Sequence, residues 1–135
     1  MGVPFLDTNV LLRHLLGDHP DHSPRATAYL ARVERGELTV RTSDIVVLET
    51  VFTLQRQYHQ PKHAIREALL PLIELPGIEL PGKRYFREVF DLYVELNLPF
   101  VDAYHAVLMG RLKLDEIVSF DQHFDRLKGL RRLEP

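Results

Sequence analysis

Val3-Pro4-Phe5-Leu6-Asp7-Thr8-Asn9-Val10-Leu11-Leu12 passes from a short apolar run, through three polar residues, into a second apolar segment. Val3 to Leu6 reads as a buried strand, because the run is short, apolar and followed at once by polar side chains. Asn9 to Leu16 reads as a helix with Leu11, Leu12, Leu15 and Leu16 along one side. A strand that feeds directly into a helix is the first step of an alternating α/β fold. Asp7 stands at the junction.

The same alternation continues outward. Leu38 to Arg41 reads as a second strand, Ile78 to Leu80 as a third, Ile117 to Phe120 as a fourth and Leu130 to Leu133 as a fifth. Ser23-Pro24 reads as a helix opening, with the hydroxyl as cap and proline at the first helical position, and Gly36 as its stop. Ser43 caps the next helix, which runs to about Gln57 and whose first part, Ile45 to Leu54, is apolar nearly all round. Another starts at Pro61 and runs towards Leu75, with a kink expected at Pro71. Lys83 to Leu96, Asp102 to Leu112 and the short Gln122 to Leu127 complete the set. Strands interleaved with helices predict a parallel sheet covered on both faces, a three-layer α/β/α sandwich. In such sheets ligands bind beyond the carboxyl ends of the strands, where the strand order reverses.

At 135 residues the chain fits a single domain, 1–135, and it shows no repeat, low-complexity tract or linker. No apolar run reaches the roughly 18 residues needed to cross a membrane. Met1-Gly2 leads into Val3-Pro4-Phe5-Leu6 and Asp7, so no secretory signal is expected and the cytoplasm is the expected compartment. The 0 cysteines exclude disulfides, thiolate metal sites and cysteine nucleophiles together. A net charge of −2 argues against binding nucleic acid through bulk positive charge, so such binding would need a local basic surface or metal ions.

Four acids fall where acids are unusual. Asp7 and Asp121 each follow a strand, Asp102 begins a helix, and Glu49 is the single acid within Ile45-Val46-Val47-Leu48-Glu49-Thr50-Val51-Phe52. Each has an ordinary reading: Asp7 and Asp102 as helix caps, Glu49 reaching to the surface, Asp121 as a turn residue. Yet buried carboxylates need a partner, and basic partners that would neutralise these four are not evident nearby in sequence. A divalent cation would compensate several at once, and oxygen ligands suit Mg²⁺ or Mn²⁺. Among the seven histidines, His105 lies one turn from Asp102, with a packing or hydrogen-bonding role as the simpler reading. His19 and His22 read as a solvated loop in preference to a metal pair, and His123 shows no ligand spacing. Arg126, Lys128, Arg131 and Arg132 form a basic stretch that reads either as phosphate contacts or as plain surface.

Four segments carry a resemblance. Phe5-Leu6-Asp7-Thr8-Asn9-Val10-Leu11-Leu12-Arg13 resembles the opening of the PIN-domain ribonucleases, and of the VapC-like toxins of toxin–antitoxin pairs in particular. Leu48-Glu49-Thr50-Val51, Phe100-Val101-Asp102-Ala103-Tyr104-His105-Ala106 and Ser119-Phe120-Asp121-Gln122-His123-Phe124 are similar to their second, third and fourth acidic motifs, in the same order. The resemblance implies strand order 3-2-1-4-5, cleavage of RNA dependent on Mg²⁺ or Mn²⁺, a homodimer, and a cognate antitoxin protein that holds it inactive. It implies catalytic and metal-binding roles for Asp7, Glu49, Asp102 and Asp121. Asn9 and Ser119 are candidates for orienting the carboxylates or a water and for contacting substrate. His123 stands where relatives often carry a further acid, and Ser119 where threonine is frequent. A catalytically inactive module of the same fold is the alternative, set apart by whether the chain binds Mn²⁺. A phosphatase of the aspartyl-phosphate kind would want an acid where Asn9 stands, and a receiver-type domain a placed lysine that is not evident.

Overall fold

In the computed structural model, which describes residues 2–135, the chain divides into two units, one ending at Arg84 and the other beginning at Tyr85. The first holds helices α1 (Thr8–Leu16), α2 (His22–Glu34), α3 (Asp44–Arg56) and α4 (Lys62–Ile73), and strands β1 (Val40–Arg41) and β2 (Ile78–Glu79). β1 and β2 pair in parallel, with Val40 opposite Ile78 and Arg41 opposite Glu79. The expected first strand is reduced to one parallel bridge, Phe5 to Arg41. Two backbone bonds hold it there: Leu6 N–H to the Arg41 carbonyl at 2.7 Å, and Arg41 N–H to the Pro4 carbonyl at 2.9 Å. Pro4 has no N–H to offer a ladder, which fits a short strand at this point. The spatial order within this unit is therefore third, second, first.

Helix α1 packs on α2 and α3, and α3 on α4. Leu11, Leu30, Val33, Val47, Val51, Leu54, Ile65, Leu69 and Ile73 form the apolar interior between these elements and the strands Val40 and Ile78 belong to. Ser43 caps α3 as the sequence indicates, its Oγ accepting the Val46 N–H at 3.2 Å. Ser23 does not cap α2. That helix starts at His22 with Asp21 at the capping position, and the buried Ser23 hydroxyl instead accepts the His19 N–H. Helix α4 continues through Pro71, which is exposed like Glu67 four residues before it, so the carbonyl deprived of its partner can turn to water.

The second unit holds α5 (Phe86–Glu95), α6 (Phe100–Arg111), β3 (Glu116–Val118), a 3-10 turn over Gln122–Arg126, and β4 (Arg131–Leu133). The expected helix from Lys83 begins as a 3-10 turn, Lys83–Tyr85, and becomes α-helical only at Phe86. β3 and β4 run parallel, with Ile117 opposite Arg132. α5 packs on α6 through an aromatic cluster: Phe90 and Tyr93 meet Phe100 at centroid distances of 4.9 and 5.1 Å. Phe100 is the first residue of α6, so this cluster fixes the end of the helix that carries Asp102. The parallel pairing in both units and the helices between strands establish the α/β class. No helix among the described residues is long and apolar enough to cross a membrane.

Candidate functional site

The acidic candidates fall into two groups, one in each unit. In the first, Leu6 ends the bridged segment and Asp7 follows at its carboxyl end. Thr42 Oγ donates to the Leu6 carbonyl at 3.0 Å in a buried bond, which sets the height at which Asp7 leaves the strand. Asp7 occupies the N-cap position of α1, but its side chain makes no capping hydrogen bond. The capping role that would explain this acid structurally is therefore not taken up. Thr8, buried beside it, donates its Oγ to Glu49 Oε1 at 2.9 Å. That bond ties the carboxylate of α3 to the first residue of α1, next to Asp7.

The expectation that Glu49 lies in an all-round apolar helix is corrected by the structure. Glu49 is exposed, and it shares that face of α3 with Ile45, 67% exposed, and Phe52, 57% exposed. These residues lie at i−4 and i+3, so they flank the acid on one stripe of the helix. Asp7 is exposed as well. Burial cost therefore does not explain these two acids, whereas Thr8 accounts for the placement of Glu49. Asn9, also exposed, lines a cavity of about 670 Å³ together with Arg13, His19, His22, Arg25 and Tyr29. His19 and His22 stack at 4.0 Å, but His19 Nδ1 already accepts the backbone N–H groups of Asp21 and His22.

In the second unit the geometry is tighter. Asp102 is the third residue of α6 rather than its opening residue, since the helix begins two residues earlier at Phe100. Asp121 leads into the 3-10 turn, where its Oδ1 accepts the His123 N–H at 3.1 Å and Ser119 Oγ accepts the N–H of Asp121 at 2.9 Å. Asp102, Asp121 and His123 offer ligand atoms that all lie within 4.8 Å of one another. His123 Nδ1 stands 2.5 Å from Asp121 Oδ1 and 3.4 Å from Asp102 Oδ2. Asp102 Oδ2 and His123 Nδ1 are nevertheless buried without a well-formed hydrogen bond. Such orphaned groups are few in native proteins and call for a cause.

Electrostatics separate the two carboxyls. Burial, with the Asp121 carboxylate adding to it, raises the Asp102 carboxyl above its ordinary value, against an opposing pull from His123. Asp121 is held below its ordinary value, chiefly by the His123 backbone N–H. Two carboxyls in contact that differ in this way, with an imidazole beside them, fit a site that gains from a shared cation. The donor set, two carboxylates and one imidazole, is one that divalent ions accept.

His123 is the residue sequence reasoning missed. The only signal was its position two residues after Asp121, where an acid would also have been a ligand. His105 is exposed and meets Tyr104 edge-on at 6.1 Å. The basic stretch is mostly occupied: Arg131 pairs with Glu116, and Arg132 with Asp125 and Glu134. Arg132 also donates to the Ser119 carbonyl at 3.1 Å, and Arg126 to the carbonyls of Leu96 and Asn97. These arginines brace the second unit through carboxylate and carbonyl partners of their own.

The parallel pairs, the acids beyond strand ends and the orphaned donor cluster agree with comparison to known proteins. Residues 5–130 match the PIN domain family, and the chain belongs to that family. It is similar to a VapC ribonuclease of Aquifex aeolicus (strain VF5), with 28% identity over 132 residues. That likeness covers 96% of this chain and 95% of the relative.

Proposed function

We propose that this chain is a divalent-metal-dependent endoribonuclease that hydrolyses RNA phosphodiester bonds and acts as the toxin of a toxin–antitoxin pair. The observation that carries the reading is the cluster of Asp102, Asp121 and His123 donor atoms within 4.8 Å, two of those atoms buried without a well-formed hydrogen bond. The family match runs unbroken from 5 to 130, which supports one nuclease domain over 1–135. The partial orders within the units, third-second-first and fourth-fifth, are compatible with the 3-2-1-4-5 order that the family resemblance implies.

On this reading Asp7 and Asp102 are the principal metal ligands, Asp121 completes the set, and the ion is Mg²⁺ or Mn²⁺. A bound divalent ion of this kind polarises the phosphoryl oxygens and lowers the pKa of water. Glu49 keeps one oxygen on Thr8 and has Oε2 to hold and deprotonate the attacking water. Ser119 steadies Asp121 through its backbone, and Asn9, on the wall of the cavity with Arg13 and Arg25, orients the RNA. The exposed Ile45 and Phe52 beside Glu49 support a covering partner, with a homodimer and a cognate antitoxin as the occupants the family suggests. The name borne by the Aquifex relative, VapC ribonuclease, supports RNA as the substrate.

Expression of the parent and of Asp7→Asn in cells, followed by sequencing of cleaved RNA ends, tests this reading. Growth arrest with discrete new RNA ends is expected from the parent alone, and co-expression of the antitoxin should relieve it. Arrest or cleavage of equal extent from Asp7→Asn would overturn the assignment.

A further inference from the structure

The 3-10 turn Gln122–Arg126 gives Asp121 a neighbour for which four acids alone have no use. His123 presents its Nδ1 edge to both carboxylates. Its own N–H is bonded to Asp121, the N–H of Asp121 is bonded to Ser119, and the next residue, Phe124, is buried. The imidazole is thus positioned by backbone and packing, independently of any ion, which is what a preorganised ligand requires. Nδ1 and Asp102 Oδ2 are both buried without a well-formed hydrogen bond, although Nδ1 stands 2.5 Å from Asp121 Oδ1 and 3.4 Å from Asp102 Oδ2. The rest of the ring is part-exposed, with the side chain 40% accessible, so Nε2 can carry the proton of the neutral tautomer outward.

We propose that His123 Nδ1 is a nitrogen ligand of the metal centre and makes the centre select Mn²⁺ over Mg²⁺. The inference rests on the reading that Asp102 and Asp121 hold a divalent ion. Mg²⁺ demands near-ideal octahedral oxygen coordination and parts with its waters reluctantly. A nitrogen donor favours first-row transition ions, and among these Mn²⁺ is the one that also keeps the preference for carboxylate and water. One imidazole beside two carboxylates therefore shifts the balance towards Mn²⁺ without excluding Mg²⁺.

The test is pulsed EPR of the full chain loaded with Mn²⁺, with natural and ¹⁵N-labelled histidine, together with displacement of the bound Mn²⁺ by Mg²⁺. Nitrogen coupling to the bound ion is expected in the native chain and should change with the label. It should vanish in both His123→Asp and His123→Asn, and the Mg²⁺ needed to displace half of the Mn²⁺ should fall about tenfold in each. Bound Mn²⁺ without nitrogen coupling, displaced equally well from native chain and variants, would overturn the inference and leave the carboxylate site standing. Failure of the native chain to bind either ion would overturn the carboxylate site itself, and this inference with it.

Discussion

Asp102 and Asp121 are neighbours with opposite shifts, so they make opposite contributions to stability as pH changes. Asp102, raised by burial, contributes stability fully below its unfolded value, and that contribution is lost as pH rises through the higher native value. Asp121, lowered, contributes above its unfolded value and loses that contribution as pH falls through the native one. In metal-free buffer at neutral pH, Asp102→Asn should therefore melt roughly 1–4 °C above the parent, with the gap closing towards pH 4. Adding Mn²⁺ should raise the parent and not the variant, as thermal melts would read. Thr8→Val removes the hydroxyl that holds Glu49 and should cut the cleavage rate while costing about 1 kcal/mol or less in stability. Thr8→Ser should restore the rate, as steady-state assays would read. At this scale Asp7 and Asp121 could be located from the sequence because each follows a strand. Glu49 was singled out for a burial it does not have. His123 stayed hidden because only a 3-10 turn brings its ring back onto Asp121.

Element boundaries depend on which polar group wins a given backbone N–H. Ser43 could be read as a cap because nothing competes for its hydroxyl, whereas the Ser23 hydroxyl is taken by His19, and α2 starts a residue early. The bridged first strand is shorter than its apolar run suggests, and the expected burial of Val3 to Leu6 is met by Leu6 alone. Leu6 is buried while Val3 and Phe5 remain exposed. The turn before β2 is tied to packing rather than to backbone handedness. A Cβ on Gly77 would stand 2.9 Å from the Leu38 carbonyl oxygen and 2.9 Å from Val33 Cγ1. Backbone cannot yield as a flexible side chain can, so Gly77→Ala should destabilise the chain by about 1–3 kcal/mol, measured by urea denaturation. Cleavage by the folded fraction should be unchanged, because the strain falls on α2 and β2 and not on the acids.

For the molecule as a whole, the alternation of strand and helix was readable from the sequence, and the parallel pairs fall at the segments it marked. Which strands lie side by side was not readable, because periodicity carries no information on neighbours; that order came from the family resemblance. Global stability has an alkaline limit set in the aromatic cluster that joins α5 to α6. Burial pushes the Tyr93 phenol up to about 12, so above its unfolded value near 10 the unfolded chain ionises first and stability falls as pH rises. Tyr93→Phe should flatten that decline between pH 10 and 12, in melts compared with the parent. The central claim is that the carboxylates cut RNA by holding divalent ions. Its most direct test is digestion of end-labelled RNA by purified chain in chelator, with Mn²⁺ restored, beside Asp7→Asn under the same conditions. Products should appear only for the parent and only after Mn²⁺ is restored; cleavage in chelator, or equal cleavage by Asp7→Asn, would contradict it.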